Sequence, residues 1–259
     1  MRDPYRPLAP RYDRMAADPG IRALYRDLLR AVTAAAAAHR IRPRVIVDLA
    51  CGTGNTAIPW AGGRGRTVVG VDASEAMLRV ARRKSRRVRW VRQDLTDLSL
   101  DVTADVATCF GDALCHILEA RDLQRVFRNT AKLLRPGGVF LFDLNTRFCL
   151  EFLGTSEKLF RAGPDVFMAT NAFDRKTGLA TFRQLWFVRQ GTLYRRVPVT
   201  VKTRSYEDAE IRRMLRAAGL RLEKISVLRR LKGRPFRKLY VAVRRARRGR
   251  TSSSRRSVP

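Results

Sequence analysis

The run Val45-Ile46-Val47, followed by Asp48 and then by Gly52 and Gly54 around Thr53, constrains this chain more than any other stretch. Three β-branched apolar residues in a row suit a strand buried on both faces of a parallel sheet. Glycines just after such a strand let the backbone turn sharply and let a ligand come close to it. A strand that ends in an acid and a glycine turn before a helix marks a binding crevice at the carboxyl edge of a doubly wound sheet. A dinucleotide at such a turn wants G-x-G-x-x-G or a final Ala, because its pyrophosphate rests on a helix N-terminus. Ala57 fills that last place acceptably. Asp48 argues for the other class of ligand, since a carboxylate repels a pyrophosphate and attracts an ammonium group.

The chain then repeats the pattern. Thr67 to Val71 reads as a second buried strand closed by Asp72, about 20 residues past the glycine turn, where a carboxylate can accept both hydroxyls of a ribose. Val88 to Val91 is a third strand ending in Gln93-Asp94-Leu95, and Ala104 to Phe110 a fourth ending in Gly111-Asp112. A helix over 122–134 stops at Pro136-Gly137-Gly138 and leads into a fifth strand, Val139 to Leu144.

Asp48-Leu49-Ala50-Cys51-Gly52-Thr53-Gly54 resembles motif I of the class I S-adenosylmethionine-dependent methyltransferases, with Ala50 where that motif often has its first glycine. Asp72-Ala73-Ser74 with Met77-Leu78 is similar to the segment that follows motif I in those enzymes. The resemblance covers Ile41 to Asn145 and implies S-adenosylmethionine as cofactor, with S-adenosylhomocysteine as product. It implies that Asp48, Ala50, Cys51, Gly52 and Gly54 hold the methionine end, and that Asp72 and Ala73 hold the ribose. Met77, Asp94 and Leu95 would then surround the adenine side, Met77 as a polarisable thioether on the ring, and Phe110 is a further cofactor-binding residue. Asp94 alternatively caps a helical turn. Cys109 to His116 looks like the corresponding stretch of glycine N-methyltransferases and related small-molecule amine methyltransferases, which have Gly-Asn where this chain has Gly111-Asp112. His116, Asp112 and Tyr12 are therefore the candidate catalytic residues. His116 is the internal histidine near the expected site, and a hydroxyl acceptor would need such a base.

Charge sets the competing readings. Lys and Arg number 54 against 23 acids, a net charge of +31, and only seven of those arginines lie in 244–256. Such a balance raises nucleic acid as a partner, but no RNA-binding signature accompanies it, and base amino methylation often uses an Asn/Asp-Pro-Pro-aromatic segment where this chain has Phe110-Gly111-Asp112. An RNA or DNA methyltransferase is the first alternative, and a non-catalytic S-adenosylmethionine-binding protein the second. The four cysteines show no spacing suited to zinc, so no metal is expected. With no apolar run near 20 residues and no secretory pattern, no membrane contact and a cytoplasmic location are expected. Oligomeric state is not legible.

The fold class is α/β: a Rossmann-like, doubly wound, mostly parallel seven-stranded sheet with a small antiparallel β insertion after strand five. Residues 1–40 read as an N-terminal arm and lid helix and 41–149 as the cofactor-binding core. The insertion over the site spans 150–204, with alternating segments at 165–173, 179–189 and 192–203. Residues 205–245 supply the last helix, opened by a capping box from Ser205 to Asp208, and two strands joined by a basic loop at 229–235. Residues 246–259 read as a basic disordered tail. A further helix is expected from Asn55 to Ala61. The function expected is methyl transfer to an amine or hydroxyl of a small molecule.

Overall fold

The computed structural model describes residues 3–154 and 157–245; the tail at 246–259 lies outside them. The parallel strands are β1 (Val45–Leu49), β2 (Thr67–Asp72), β3 (Arg89–Arg92), β4 (Ala104–Cys109) and β5 (Leu134–Asn145). Strands β10 (Leu220–Leu231) and β11 (Arg234–Arg244) join β5 antiparallel, giving the order β10-β11-β5-β4-β1-β2-β3. The strand order reverses between β1 and β4, and in such sheets ligands bind outside the carboxyl ends of the strands at that point. This is the seven-stranded, mostly parallel sheet that the sequence implied.

Both faces of the sheet are covered. On one, α4 (Ala120–Leu133) and α6 (Asp208–Ala217) press Leu123, Phe127, Ile211 and Leu215 against β4, β5 and β11. Spacings of three and four residues put these side chains on one face of each helix. Phe140, Phe142 and Tyr240 stack there with successive centroids 4.9 Å apart. On the other face α2 (Pro19–Ala38) buries Leu24, Leu28 and Val32 against Ile46, Val106 and Val241. Asp18 caps α2 by accepting from the N–H groups of Gly20 and Ile21, with Pro19 in the first turn as its missing N–H allows. Helix α3 (Glu75–Lys84) follows β2, its N-cap Ser74 accepting from the Met77 N–H.

A second sheet has the order β6-β7-β8-β9, all antiparallel: β6 (Glu157–Ala162), β7 (Asp165–Asp174), β8 (Leu179–Gln190) and β9 (Leu193–Arg204). Helix α5 (Arg147–Gly154) links it to β5. Phe167, Trp186, Val197 and Val199 turn one face of this sheet toward Leu8, Tyr5 and Met15 of the N-terminal arm, which contains α1 (Ala9–Ala16).

Several local expectations are corrected. The helix expected at 55–61 is only a 3₁₀ turn, Ile58–Gly62. Pro59 cannot sit beyond a first helical turn, and Gly62-Gly63 end it three residues later. The capping box does not form: Glu207 is the N-cap of α6 with no side-chain bond, and Asp208 instead accepts from Lys238 and Tyr240 at 2.6 and 2.7 Å. The basic loop at 229–235 is the end of a hairpin, because Lys232 and Gly233 both take positive φ and make a two-residue turn that keeps both strands paired. Strand β6 went unread.

Gly70 in β2 supports the crevice from beneath. A Cβ there would lie 2.4 Å from the Trp90 ring and 3.0 Å from Cys51 Sγ. Gly70→Ala should therefore cost about 1–3 kcal/mol by overpacking and lower the melting temperature by several degrees. Calorimetry that finds no change would show that Trp90 moves aside freely.

Candidate active site

The glycine turn is pinned to the neighbouring strand. The Cys51 N–H donates to the Val71 carbonyl at 2.9 Å, and the Gly52 N–H donates to Asp72 Oδ2 at 2.8 Å. Ala50, Gly52 and Gly54 all have positive φ, at 53°, 54° and 86°. Ala50 adopts it with a Cβ, which costs an L-residue roughly 1–2 kcal/mol. A Cβ added at Gly52 or Gly111 would meet nothing within 4 Å, so bare backbone faces open space at both. Those two residues, Ala50, Thr53 and Phe110 line one cavity with Tyr12 and Tyr25.

Each predicted cofactor residue has a definite place. Asp72, half-buried at the end of β2, accepts from Gly52 and, at 2.8 Å, from the Ser74 N–H. Burial raises its carboxyl, against those two bonds. Ala73 is exposed beside it, and Met77 is buried one turn into α3. Exposed Asp94 caps the 3₁₀ turn Leu95–Asp97, accepting from the Thr96 N–H at 2.8 Å. Leu95 packs half-buried on the core. Asp48 is withdrawn from direct contact. It is 1% exposed, and its two oxygens accept from Thr56 and Thr108, each at 2.6 Å. Burial pushes its carboxyl up to about 6 against those bonds.

The segment after β4 forms a second cluster. Gly111 and Asp112 have positive φ, at 78° and 52°. Asp143, fully buried in β5, accepts from both of their N–H groups, at 2.9 and 3.2 Å. Arg237 of β11 bonds Asp143 through Nε and Asp112 through Nη2, the latter at 2.7 Å. Asn145 donates to the other Asp112 oxygen at 2.8 Å. Both carboxylate oxygens of Asp112 are thus engaged in holding the loop. The 3₁₀ turn Ala113–His116 follows. His116 Nε2 lies 2.9 Å from Tyr5 Oη, and the rings meet edge to face. A hydrogen bond to the Lys202 carbonyl engages the imidazole as well, and burial lowers its pKa. His116 is therefore neutral near pH 7, donating to Lys202 and accepting from Tyr5.

The N-terminal arm closes the crevice from above. Asp3 Oδ2 accepts from Ser74 Oγ at 2.6 Å, and Asp13 Oδ1 accepts from Thr53 Oγ1 at 2.6 Å and from Asn55 at 3.1 Å. Lys84 of α3 pairs with Asp13 at 2.8 Å. On the other side, Arg11 and Arg14 pair with buried Asp165 of β7 at 2.8 and 3.2 Å. Tyr12 hydrogen-bonds Tyr25, and burial, the largest cause at each, holds both phenols protonated; neighbouring groups add to it at Tyr12, whereas the Tyr12 bond and the Arg237 charge oppose it at Tyr25. The sequence alone assigns no site role to Tyr5, Asp13, Tyr25, Asp143, Asn145 or Arg237. Asp143 is the lone acid in an apolar strand, which was a usable signal; Arg237 carried none. Among the described residues, no group of three or more His, Cys, Asp or Glu could hold a metal ion.

Comparison with known proteins fits this arrangement. Residues 46–138 match the methyltransferase-domain family. A candidate methyltransferase of Bacillus subtilis, YqeM, is 27% identical over 70% of this chain and 75% of its own. Two further curated relatives align over less than half of their own length. Among solved structures, an S-adenosylmethionine-dependent methyltransferase from Clostridium acetobutylicum superposes with a TM-score of 0.81 at 24% identity, covering 94% of this chain and 100% of that one. The sugar N-methyltransferase KedS8 from Streptoalloteichus superposes at 0.72 and 22% identity, covering 91% and 93%. Likeness at these identities speaks for the fold.

Asp48 provides a test. Its folded pKa, about 6, exceeds the unfolded value of 3.8. The native chain thus binds that proton more tightly, and the ionised carboxylate weakens the fold above pH 6. That penalty fades as pH falls toward 3.8 and is on the order of 2–3 kcal/mol when complete. Asp48→Asn should melt several degrees above wild type at pH 7.5, with the gap narrowing by pH 5. A variant that melts lower at every pH would show that the ionised group is net stabilising.

Proposed function

We propose that this chain, an S-adenosylmethionine-dependent methyltransferase, methylates an amine of a small molecule, with Tyr5 and His116 facing the acceptor. The residues present suit the cofactor. Open backbone at Gly52 admits a close ligand, and Asp72 keeps lone pairs for ribose hydroxyls beyond the two N–H groups it already accepts. Met77, Asp94 and Leu95 would border the adenine, and Phe110 would meet the cofactor beside the glycine turn. Asp48 would favour the methionine ammonium through its field. When bound, S-adenosylmethionine supplies a methyl group on a sulfonium leaving group, so the protein need form no covalent bond to it.

The choice of an amine rests on the electrostatics around Tyr5. Burial most strongly raises its hydroxyl pKa, and Asp112, Asp72 and Asp3 push it the same way. Three carboxylates acting on one buried phenol mark a negative potential, which draws in a cation. An amine arrives largely as an ammonium ion and must lose one proton before its lone pair can attack. His116, neutral and half-buried, can take that proton through Tyr5, whose hydroxyl passes its own proton to Nε2 as it accepts the one from the amine. A hydroxyl acceptor would gain nothing from the negative potential. Tyr12 and Tyr25 wall the cavity beside the glycine turn, with Gly52, Phe110 and Gly111, and exclude water from it. KedS8, a sugar N-methyltransferase, shares the fold and supports an amine on a sugar-sized molecule.

Two measurements test this reading. Asp72→Ala removes charge-assisted hydrogen bonds worth about 1.5–3 kcal/mol, so calorimetry should show S-adenosylhomocysteine binding weakened roughly 10- to 150-fold. An unchanged dissociation constant would reject the ribose assignment. His116→Ala should leave cofactor affinity near wild type and cut turnover about 10²-fold or more with an amine acceptor found by screening with labelled cofactor. Label appearing only on hydroxyl or RNA acceptors would overturn the amine reading.

A further inference from the structure

We propose that the amino-terminal rim of strands β1, β2 and β3 is a binding surface for the phosphodiester backbone of a nucleic acid duplex. The surface is assembled by the fold. Arg42 and Arg44 precede β1, Arg64 and Arg66 precede β2, and Arg86 and Arg87 precede β3. These strands are adjacent and parallel, with Val45 opposite Thr67 and Val69 opposite Arg89. The Thr67 N–H donates to the Arg44 carbonyl at 2.7 Å, which ties the first two loops together. Neighbouring strands lie about 4.8 Å apart, so three loops distant in sequence place six exposed arginines on one short edge.

Nothing acidic neutralises them. No ion pair involves any of the six among the described residues, whereas arginines elsewhere do find acids. Asp105, the acid next to this edge, is already paired with Arg135 and accepts from the Arg44 and Val45 N–H groups. Asp101, before β4, flanks the rim on one side only. Arg66 lies over the Trp60 ring at 5.6 Å, but guanidinium groups at this density with no acid to pair them repel one another, and a row of phosphates relieves that repulsion through forked hydrogen bonds.

The apolar pattern separates a duplex from a membrane. At the rim Ile41, Val68 and Val88 are buried and Trp60, beneath Arg66, is half-buried, so no fully exposed large apolar side chain is offered for insertion among lipids. The exposed large apolar residues Leu159, Met168 and Leu193 belong to the second sheet instead. The rim also lies at the end of the sheet away from the crevice: β2 has six residues, about 20 Å at the usual rise. A duplex held there is a tether and not the methyl acceptor, which makes this inference independent of the amine reading.

The test uses the full-length protein, fluorescently labelled 20-base-pair DNA and RNA duplexes of mixed sequence, and vesicles containing phosphatidylserine. One variant carries Arg42, Arg64, Arg86 and Arg87 each changed to Gln. A control of equal net charge carries Arg121, Arg128, Arg213 and Arg216, exposed on α4 and α6, each changed to Gln. The rim variant should bind duplex at least 10-fold more weakly at 100 mM salt. Its log–log salt slope should be smaller by about 3–4, the loss of four phosphate contacts. The control should lose no more than about threefold, and both variants should bind S-adenosylhomocysteine as wild type does. Comparing the DNA and RNA arms identifies which duplex is preferred. Equal losses in the two variants would overturn the proposal in favour of diffuse surface charge, and binding to vesicles without binding to duplex would overturn it in favour of a membrane.

Discussion

The ion triad of buried Asp143 with half-buried Arg237 and Asp112 is the contact on which the acceptor side depends. Asp143 has no exposure, and a carboxylate in that position is tolerable only with full partners. It has them: two backbone N–H groups from the loop after β4 and the Arg237 guanidinium. Burial raises the Asp143 carboxyl, and the Arg237 charge opposes that shift. Removing one member of such a cluster costs about 3–5 kcal/mol, because the others remain buried and charged. The triad is completed by β11, the strand that continues the sheet antiparallel past β5. Arg237 faces Asn145 in the β5–β11 register, so β11 delivers the cation to the loop that carries His116. Asp112 suits its place twice over, since it tolerates positive φ better than most side chains and answers Arg237.

The arm follows a different logic. Helix α1 has eight residues, too few to persist alone in water. It is held at both flanks by charge, Asp13 to the glycine turn and α3, Arg11 and Arg14 to Asp165. Asp165 is itself buried, with the Arg189 N–H as a further partner at 3.0 Å. One short helix thereby joins the cofactor-binding sheet to the second sheet and brings Tyr5 and Tyr12 over the crevice. Contacts of this kind break locally at lower cost than the core does, which is what a cover over a binding site requires.

The cofactor half of this architecture was legible in the sequence because its signals are local. Strands β1 and β2 open on β-branched runs, and the acid proposed to meet the ribose stands at the end of one of them, Asp72 after Val71. The acceptor half is assembled from positions far apart, Tyr5 with His116 and Asp112 with Arg237, and no periodicity marks either pair. Where local reading failed, a tertiary demand had taken over the residue. Asp208 looked like part of a cap and instead serves Lys238 and Tyr240. Tyr25 sat at helical spacing among core residues, yet it lines the cavity and bonds Tyr12. Asp48 was placed correctly at the strand end, but the threonines that enclose it come from beyond the turn and from β4.

The same distinction governs how the net charge should be understood. A total of +31 describes the exterior, where arginine is plentiful. Of only 23 acids, Asp3, Asp13, Asp48, Asp72, Asp112 and Asp143 gather around the crevice, and the nearby cations Lys84 and Arg237 are each bound to members of that set. Exposed arginines act through water and are screened within about 10 Å at ordinary salt. The crevice acids act in a partly desolvated space, where the effective dielectric is lower and their field reaches the ligand with less loss. Composition and site therefore carry opposite signs. A polyanion would be drawn to the outside of this molecule, and a small cation to its interior, so one chain can hold both without either competing for the other's surface.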